Sequence, residues 1–313
     1  MKREAFLAGA AAALGSVSPA NAIPQALAGG EALGRGKLLV LKDDPKGRII
    51  VIDSTAYIEK GQLAPTDVVI VASYAGTNTL RSLFSQGAKG AIADDAGIGK
   101  DEAAISGLRA AEKIGIPVAA VDTLTAEMSN GRSLAQGTIS RVNEPARRLG
   151  VRPGQVAYEA AQLMLAAPMG KSVTLEAEAP PEVHLVDQAP NGKVYADTSS
   201  FDLYEKLGRL PHDVVCIGAN AARVFGESIL EIGPRGAIGN DCGIGKNRSA
   251  IAGLPMLDRS AIAAAAVAAL SARIGDGMST WRDGVISAVN ATAESRGVKI
   301  GMPARTAALV MLQ

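Results

Sequence analysis

The chain has 313 residues, is 48% hydrophobic but only 3% aromatic, and carries a formal net charge of +1. That length accommodates one large core or two domains. The balanced charge removes the electrostatic case for nucleic acid, and no apolar run reaches the roughly 18 residues of a membrane span.

Residues 1–22 read as an export signal: a basic start at Lys2-Arg3, a weakly hydrophobic Ala/Gly run, and Ala20-Asn21-Ala22 as an A-x-A cleavage site. Lys2-Arg3 ahead of Phe6-Leu7 resembles a twin-arginine signal with Lys in place of the first Arg. The expected location is therefore exported, in the periplasm, with the cytoplasm as the alternative. Residues 23–36 form a short N-terminal segment.

From there the chain is a tandem duplication. Gly87-Ala-Lys-Gly-Ala-Ile-Ala-Asp-Asp-Ala-Gly-Ile-Gly-Lys100 recurs as Gly233-Pro-Arg-Gly-Ala-Ile-Gly-Asn-Asp-Cys-Gly-Ile-Gly-Lys246. Unit 37–170 opens with apolar runs at Lys37 to Leu41 and Arg48 to Ile52, joined by Asp44-Pro45-Lys46-Gly47, which is turn chemistry between paired strands. Unit 182–313 repeats that hairpin around Ala189-Pro190-Asn191-Gly192, and 171–181, containing Pro180-Pro181, is the linker. The second arms end in Asp53-Ser54-Thr55 and Asp197-Thr198-Ser199, read as helix caps rather than site residues.

The β-branched runs Asp67 to Val71 and Asp213 to Ile217 predict strands covered on both faces, each leading into a helix. The repeated stretch follows as strand, glycine loop and helix. Apolar spacing predicts a helix over Ala103 to Ile114, then a strand at Pro117 to Val121; the second copy aligns a strand at Ala264 to Val267 despite its alanines. Asn130-Gly131 and Asp276-Gly277 read as glycine turns. Helix-like stretches follow, placing Ser140 and Asn143, or Ser287 and Asn290, on one face. Final helices are expected over 155–166 and 304–312. The fold class is α/β: two tandem pseudo-symmetric βαβ-type units with mainly parallel sheets, each preceded by a β-hairpin.

The loops carry the candidate chemistry. Gly97, Gly99, Gly243 and Gly245 would let backbone N–H groups converge on an anion, with Lys100, Lys246, Arg248 and Asn240 completing the cradle at a helix start. Gly-x-Gly-Lys lacks both the Walker spacing and the third glycine of a dinucleotide fingerprint, so ATP and NAD are not expected. Asp94, Asp95 and Asp241 are candidate acid/base groups or ligands for Mg²⁺, if any metal is used. Cys242, beside Lys246 and Arg248, is a candidate nucleophile whose thiol pKa would be lowered there. It is also a candidate partner for Cys216, or a buried small hydrophobe. His184 and His212 lie on the face opposite the loops, which argues against a zinc site or a Ser-His-Asp mechanism.

Two lobes with a thiol after a strand are similar to the cofactor-independent amino-acid racemases. That resemblance implies a cysteine in each half, but Ala96 stands where the first would be. The sequence thus points to an enzyme of hydrolase, lyase or isomerase type acting on a small carboxylate or phosphate metabolite between the two loops. A non-catalytic periplasmic oxyanion-binding protein and a structural homo-oligomer are the other readings.

Overall fold

A computed structural model describes residues 24–176 and 182–313, so the export-signal stretch and residues 177–181 of the linker lie outside the described residues. The first half runs β1 (Leu39–Asp44), β2 (Gly47–Ile52), β3 (Val68–Tyr74), α1 (Thr77–Phe84), β4 (Gly90–Asp94), α2 (Ser106–Glu112), β5 (Val118–Val121), α3 (Gly131–Gln136), β6 (Ile139–Val142), α4 (Glu144–Arg148) and α5 (Ala157–Met164). The second repeats it as β7 (His184–Ala189), β8 (Gly192–Asp197), α6 (Ser200–Leu207), β9 (Val214–Asn220), α7 (Arg223–Ile232), β10 (Gly236–Asn240), α8 (Gly253–Asp258), β11 (Ala263–Val267), α9 (Gly277–Asp283), β12 (Ile286–Val289), α10 (Ala291–Ser295) and α11 (Ala304–Leu312).

Each half is a six-stranded sheet in sequence order, β1-β2-β3-β4-β5-β6 and β7-β8-β9-β10-β11-β12. The hairpins β1/β2 and β7/β8 are antiparallel, the four central strands are parallel, and β6 and β12 return antiparallel at the far edge. The fold is therefore α/β, in two similar halves with mainly parallel sheets.

Both faces of each sheet are covered, which is what uninterrupted apolar strands require. Ile49, Val51, Val68, Ile70 and Ile92 point into a core under α3 and α5, while Ile50, Ile52, Val69 and Val71 point into a core under α1 and α2. The second half repeats the alternation: Val214, Cys216 and Ile238 face α9 and α11, and Val215, Ile217 and Ala237 face α7 and α8. The alanine-rich stretch is strand β11, as the alignment of the copies requires. Its alanines pair with β10 on one side and β12 on the other, and tertiary pairing overrides their helical preference. Among the described residues no helix is long and apolar enough to cross a membrane.

Three local expectations are corrected. Residues 139–142 and 286–289 are edge strands rather than helix, because four residues carry too little periodicity to separate the two, and pairing with β5 and β11 decides. Asn130-Gly131 and Asp276-Gly277 are helix starts rather than turns; each polar side chain accepts the N–H three residues on, that of Ser133 or Ser279. Residues 171–175 of the expected linker are held against the first half rather than free, since Val173 N–H donates to Phe84 O and Leu175 is buried there.

Candidate functional site

β4 and β10 end at Asp94 and Asn240, so Asp95 and Asp241 stand at the carboxyl ends of buried strands. The loops beyond them face each other. A Cβ added at Gly97 would come within 3.4 Å of Cys242 O and Gly243 Cα. Lys100 N–H donates to Ala269 O at 2.9 Å, and in the twin interaction Lys246 N–H donates to Thr123 O at 2.8 Å. The two glycine loops are thus brought together across a pseudo-twofold axis, as a seam between the halves.

The seam leaves no cradle. In the first loop the amides of Ala96, Gly97, Ile98, Gly99 and Lys100 donate in turn to Asp94 Oδ1, Asp95 Oδ1, Asp95 O, Gly97 O and Ala269 O. In the second, Cys242, Gly243, Ile244 and Lys246 are bound the same way, to Asn240 Oδ1, Asp241 Oδ1, Asp241 O and Thr123 O. Amides already spent on protein oxygens cannot also gather an anion. Nor does an α-helix start at the lysines. Lys100–Ile105 and Lys246–Ile251 are 3-10 segments containing left-handed residues, with φ of 55° at both Asp101 and Glu102, so the expected helix over 103–114 begins only at Ser106. Ile98 and Ile244 sit at φ 65° and 71°, where a β-branched residue is strained, so the seam contacts hold the loops in a costly shape.

The candidate side chains do structural work here. Asp95 accepts from Gly97 N–H, Thr123 N–H and, at 2.7 Å, the Ser140 hydroxyl; Asp241 accepts from Gly243 N–H and Ala269 N–H. Lys100 Nζ pairs with Asp283 at 3.0 Å, Lys246 Nζ donates to Thr125 O at 3.2 Å, and Arg248 is exposed. Among the described residues no cluster of three His, Cys, Asp or Glu side chains has the arrangement of a metal site.

Cys242 is fully buried beside Ala96, Ala104, Met128 and Ala250, in a small core that belongs to both halves. Burial first, then the Asp241 and Asp94 carboxyls, push its thiol well above the ordinary range. This corrects the expected thiolate: desolvation outweighs the neighbouring lysine and arginine, whose charges are turned to the surface. Cys242 and Cys216 are both free and buried.

The open space lies elsewhere between the halves. A cleft of about 510 Å³ is bounded by the carboxyl ends of β2, β3 and β9, the β8–α6 turn, and helices α1, α6 and α7. Its walls carry Ser54, Thr55 and Ser73 from one half and Thr198, Ser199 and Asn220 from the other, with Arg81 and Asn78 on α1 and Asp202 on α6. The Asp-Ser-Thr and Asp-Thr-Ser triplets prove double-purposed. Ser54 and Ser199 cap the turns that follow by accepting the N–H of Ala56 and Asp202, and they also line the cleft. Arg81 is half-buried and has no ion-pair partner among the described residues. Burial holds the Asp202 carboxyl above the usual carboxylate range, with Lys206 pulling it back and Glu205 adding to it. Arg81, Asn78, Asn220 and Asp202 were not singled out in the sequence, because each is an unremarkable polar residue until the duplication folds two strand ends toward each other.

Fold and cleft together define a duplicated α/β protein with a ligand-sized opening at the join of its halves. No protein-family model, curated protein or solved structure matches the chain.

Proposed function

We propose that this protein binds a small polar metabolite carrying a carboxylate or phosphate, in the cleft between its halves rather than at the glycine loops. The observation that carries the reading is the position and lining of the cleft. It opens where parallel strands end, the usual ligand position in open α/β sheets, and it has the volume of a small-molecule site. It offers hydroxyls and amides from both halves around Arg81. A guanidinium without an acid partner suits bidentate pairing with a carboxylate or phosphate, and Ser, Thr and Asn side chains supply the remaining donors.

The test is thermal unfolding against a panel of small carboxylates and phosphates. A ligand of the folded state adds about 2.7 kcal/mol of stability at a hundredfold excess over its Kd. Arg81→Gln should abolish that gain, and Lys100→Ala and Lys246→Ala should keep it. If no member stabilises the wild type, or Arg81→Gln responds equally, the cleft reading fails.

A second reading, catalysis of hydrolase, lyase or isomerase type, is favoured by one observation: Asp202 is an acid held toward neutrality by burial at the cleft wall. A carboxyl whose pKa burial raises holds its proton more firmly than an exposed one, which suits a general acid or base. On this reading Asp202→Asn removes turnover of a bound ligand while leaving its stabilising effect in place; equal turnover in the variant would leave binding alone.

A further inference from the structure

The duplication places an acid and an amide at the same point of the seam, and only one of them is satisfied. Asn240 accepts Cys242 N–H through Oδ1 and donates through Nδ2 to Ala272 O at 3.2 Å, so both ends of its side chain are used. Its twin Asp94 accepts Ala96 N–H through Oδ1 at 2.7 Å, but Oδ2 is fully buried and meets no hydrogen-bond partner among the described residues. Thr123 Oγ1 stands against the same carboxyl with no other partner among the described residues, and its hydroxyl works against the upward shift without cancelling it. Where the second half has a donor, the first has an oxygen that becomes a donor only when it holds a proton.

The groups around Asp94 favour that proton. Asp95 follows it in the chain, Asp122 lies just beyond β5, Tyr74 pairs with it in register from β3, and the Cys242 thiol approaches from the partner loop. None of these supplies positive charge. An ionised carboxylate here would have the Ala96 amide and the Thr123 hydroxyl as partners and no counter-charge among these groups, a costly state for a fully buried acid.

We infer that Asp94 is a protonated, neutral acid in the folded protein, mimicking the amide of Asn240, and that its ionisation is a built-in alkaline release of the seam between the halves. Burial pushes the carboxyl up to about 8, against an ordinary value of 3.8. The sign follows from linkage. Between those two values the unfolded chain has already lost the proton while the folded chain keeps it, so folding takes up a proton and stability falls as pH rises through that window. Above it, the charge stands in the seam and the twin loops are pushed apart. The proton leaves to solvent, and nothing else is exchanged.

The experiment is chemical unfolding of the full chain between pH 5 and 9, in the wild type and in Asp94→Asn. The expected result is a wild-type midpoint that falls over this range and a variant midpoint that falls markedly less, so that the variant is the more stable protein at pH 8. Protection factors, with base-catalysed intrinsic exchange divided out, should fall at alkaline pH for the Gly97, Lys100, Gly243 and Lys246 amides in the wild type and hold in the variant. Parallel pH profiles for the two proteins would overturn the inference. So would an Asp94→Asn chain that does not fold, because Asn240 shows that an amide fits the twin position. A readout that needs no variant is the infrared carbonyl band of a protonated carboxylic acid, present at pH 6.5 in heavy water and lost by pH 9.5; its absence at the lower pH would sink the proposal.

Discussion

Asn143 and Asn290 hold each half together with one side chain apiece. Asn143 Oδ1 accepts from Val118 N–H at 3.0 Å and from Ala146 N–H at 3.1 Å, while Nδ2 donates to Ile116 O at 2.8 Å and Leu108 O at 3.3 Å. Asn290 makes the same four bonds, to Ala264, Ala293, Ile262 and Leu254. One amide thus caps a helix, α4 or α10, and ties it to the start of β5 or β11 and to a carbonyl within α2 or α8. Removing it strands buried backbone groups that water does not reach, each worth about 1–3 kcal/mol. Asn143→Ala and Asn290→Ala should therefore each lower the free energy of unfolding by about 3 kcal/mol in urea titrations. A loss under about 1 kcal/mol, the ordinary value of a surface cap, would show that the backbone groups find other partners.

At the level of elements, the twin glycine loops explain what the sequence did and did not make readable. Strand positions were readable because they depend on local alternation and on the alignment of one copy with the other; β11 was found that way against the preference of its own residues. The loops' role was not readable, because Gly-Ile-Gly-Lys has the same letters whether its amides face a ligand or a second loop. What decides is the acceptor: Asp94, Asp95, Asn240 and Asp241 turn back on the loop itself, while Thr123 O and Ala269 O come from the opposite half. The divergence of Cys242 from Ala96 points to chemistry in the sequence, whereas in the structure the thiol is buried in a small core shared by both halves. Ala96 already adopts the left-handed conformation at that point, φ 45° against 46° for Cys242, so alanine is accommodated there. Cys242→Ala should cost about 1 kcal/mol, the transfer value of one small buried group, and leave any cleft ligand bound. In the wild type, iodoacetamide should modify Cys242 at neutral pH no faster than the protein opens, since the thiol is buried and its pKa raised. Rapid labelling of the folded protein would restore the nucleophile.

Across the whole molecule, the halves are joined asymmetrically. At one end Arg223, the first residue of α7, reaches into the other half. Its Nη2 donates to Asp53 Oδ2 and to Ser129 O, both at 3.0 Å, and its Nη1 meets Glu227 Oε1 at 2.5 Å. Tyr57 of the first half donates to the remaining Glu227 oxygen. Asp53 is fully buried at the end of β2, and Gly34 and Gly131 N–H complete its shell at 2.8 Å. By the repeat, Thr77 stands where Arg223 would have its twin, and Asp197, the counterpart of Asp53, is buried with Oδ2 unpartnered among the described residues; burial raises its carboxyl above the usual range. On that side Arg223 has no counterpart; Asn78 Nδ2 of the first half donates to Gly275 O at 3.4 Å and Arg273 pairs with Asp101 at 3.0 Å instead, and Thr198, Ser199 and Asn78 line the cleft. Deleting one partner of a buried pair leaves the other charge uncompensated, at about 3–5 kcal/mol. Arg223→Ala should therefore destabilise the protein by that amount, and Arg223→Lys should recover only part, because an ammonium cannot reach Asp53, Ser129 O and Glu227 in the same planar geometry. If the loss arises from separation of the halves, hydrogen exchange of Arg223→Ala should rise first at Gly131 and Gly34, whose amides share Asp53 with the guanidinium, and only later in the central strands. Exchange rising evenly across both sheets would mean instead that the two halves unfold as one body and that the arginine is one stabilising contact among many.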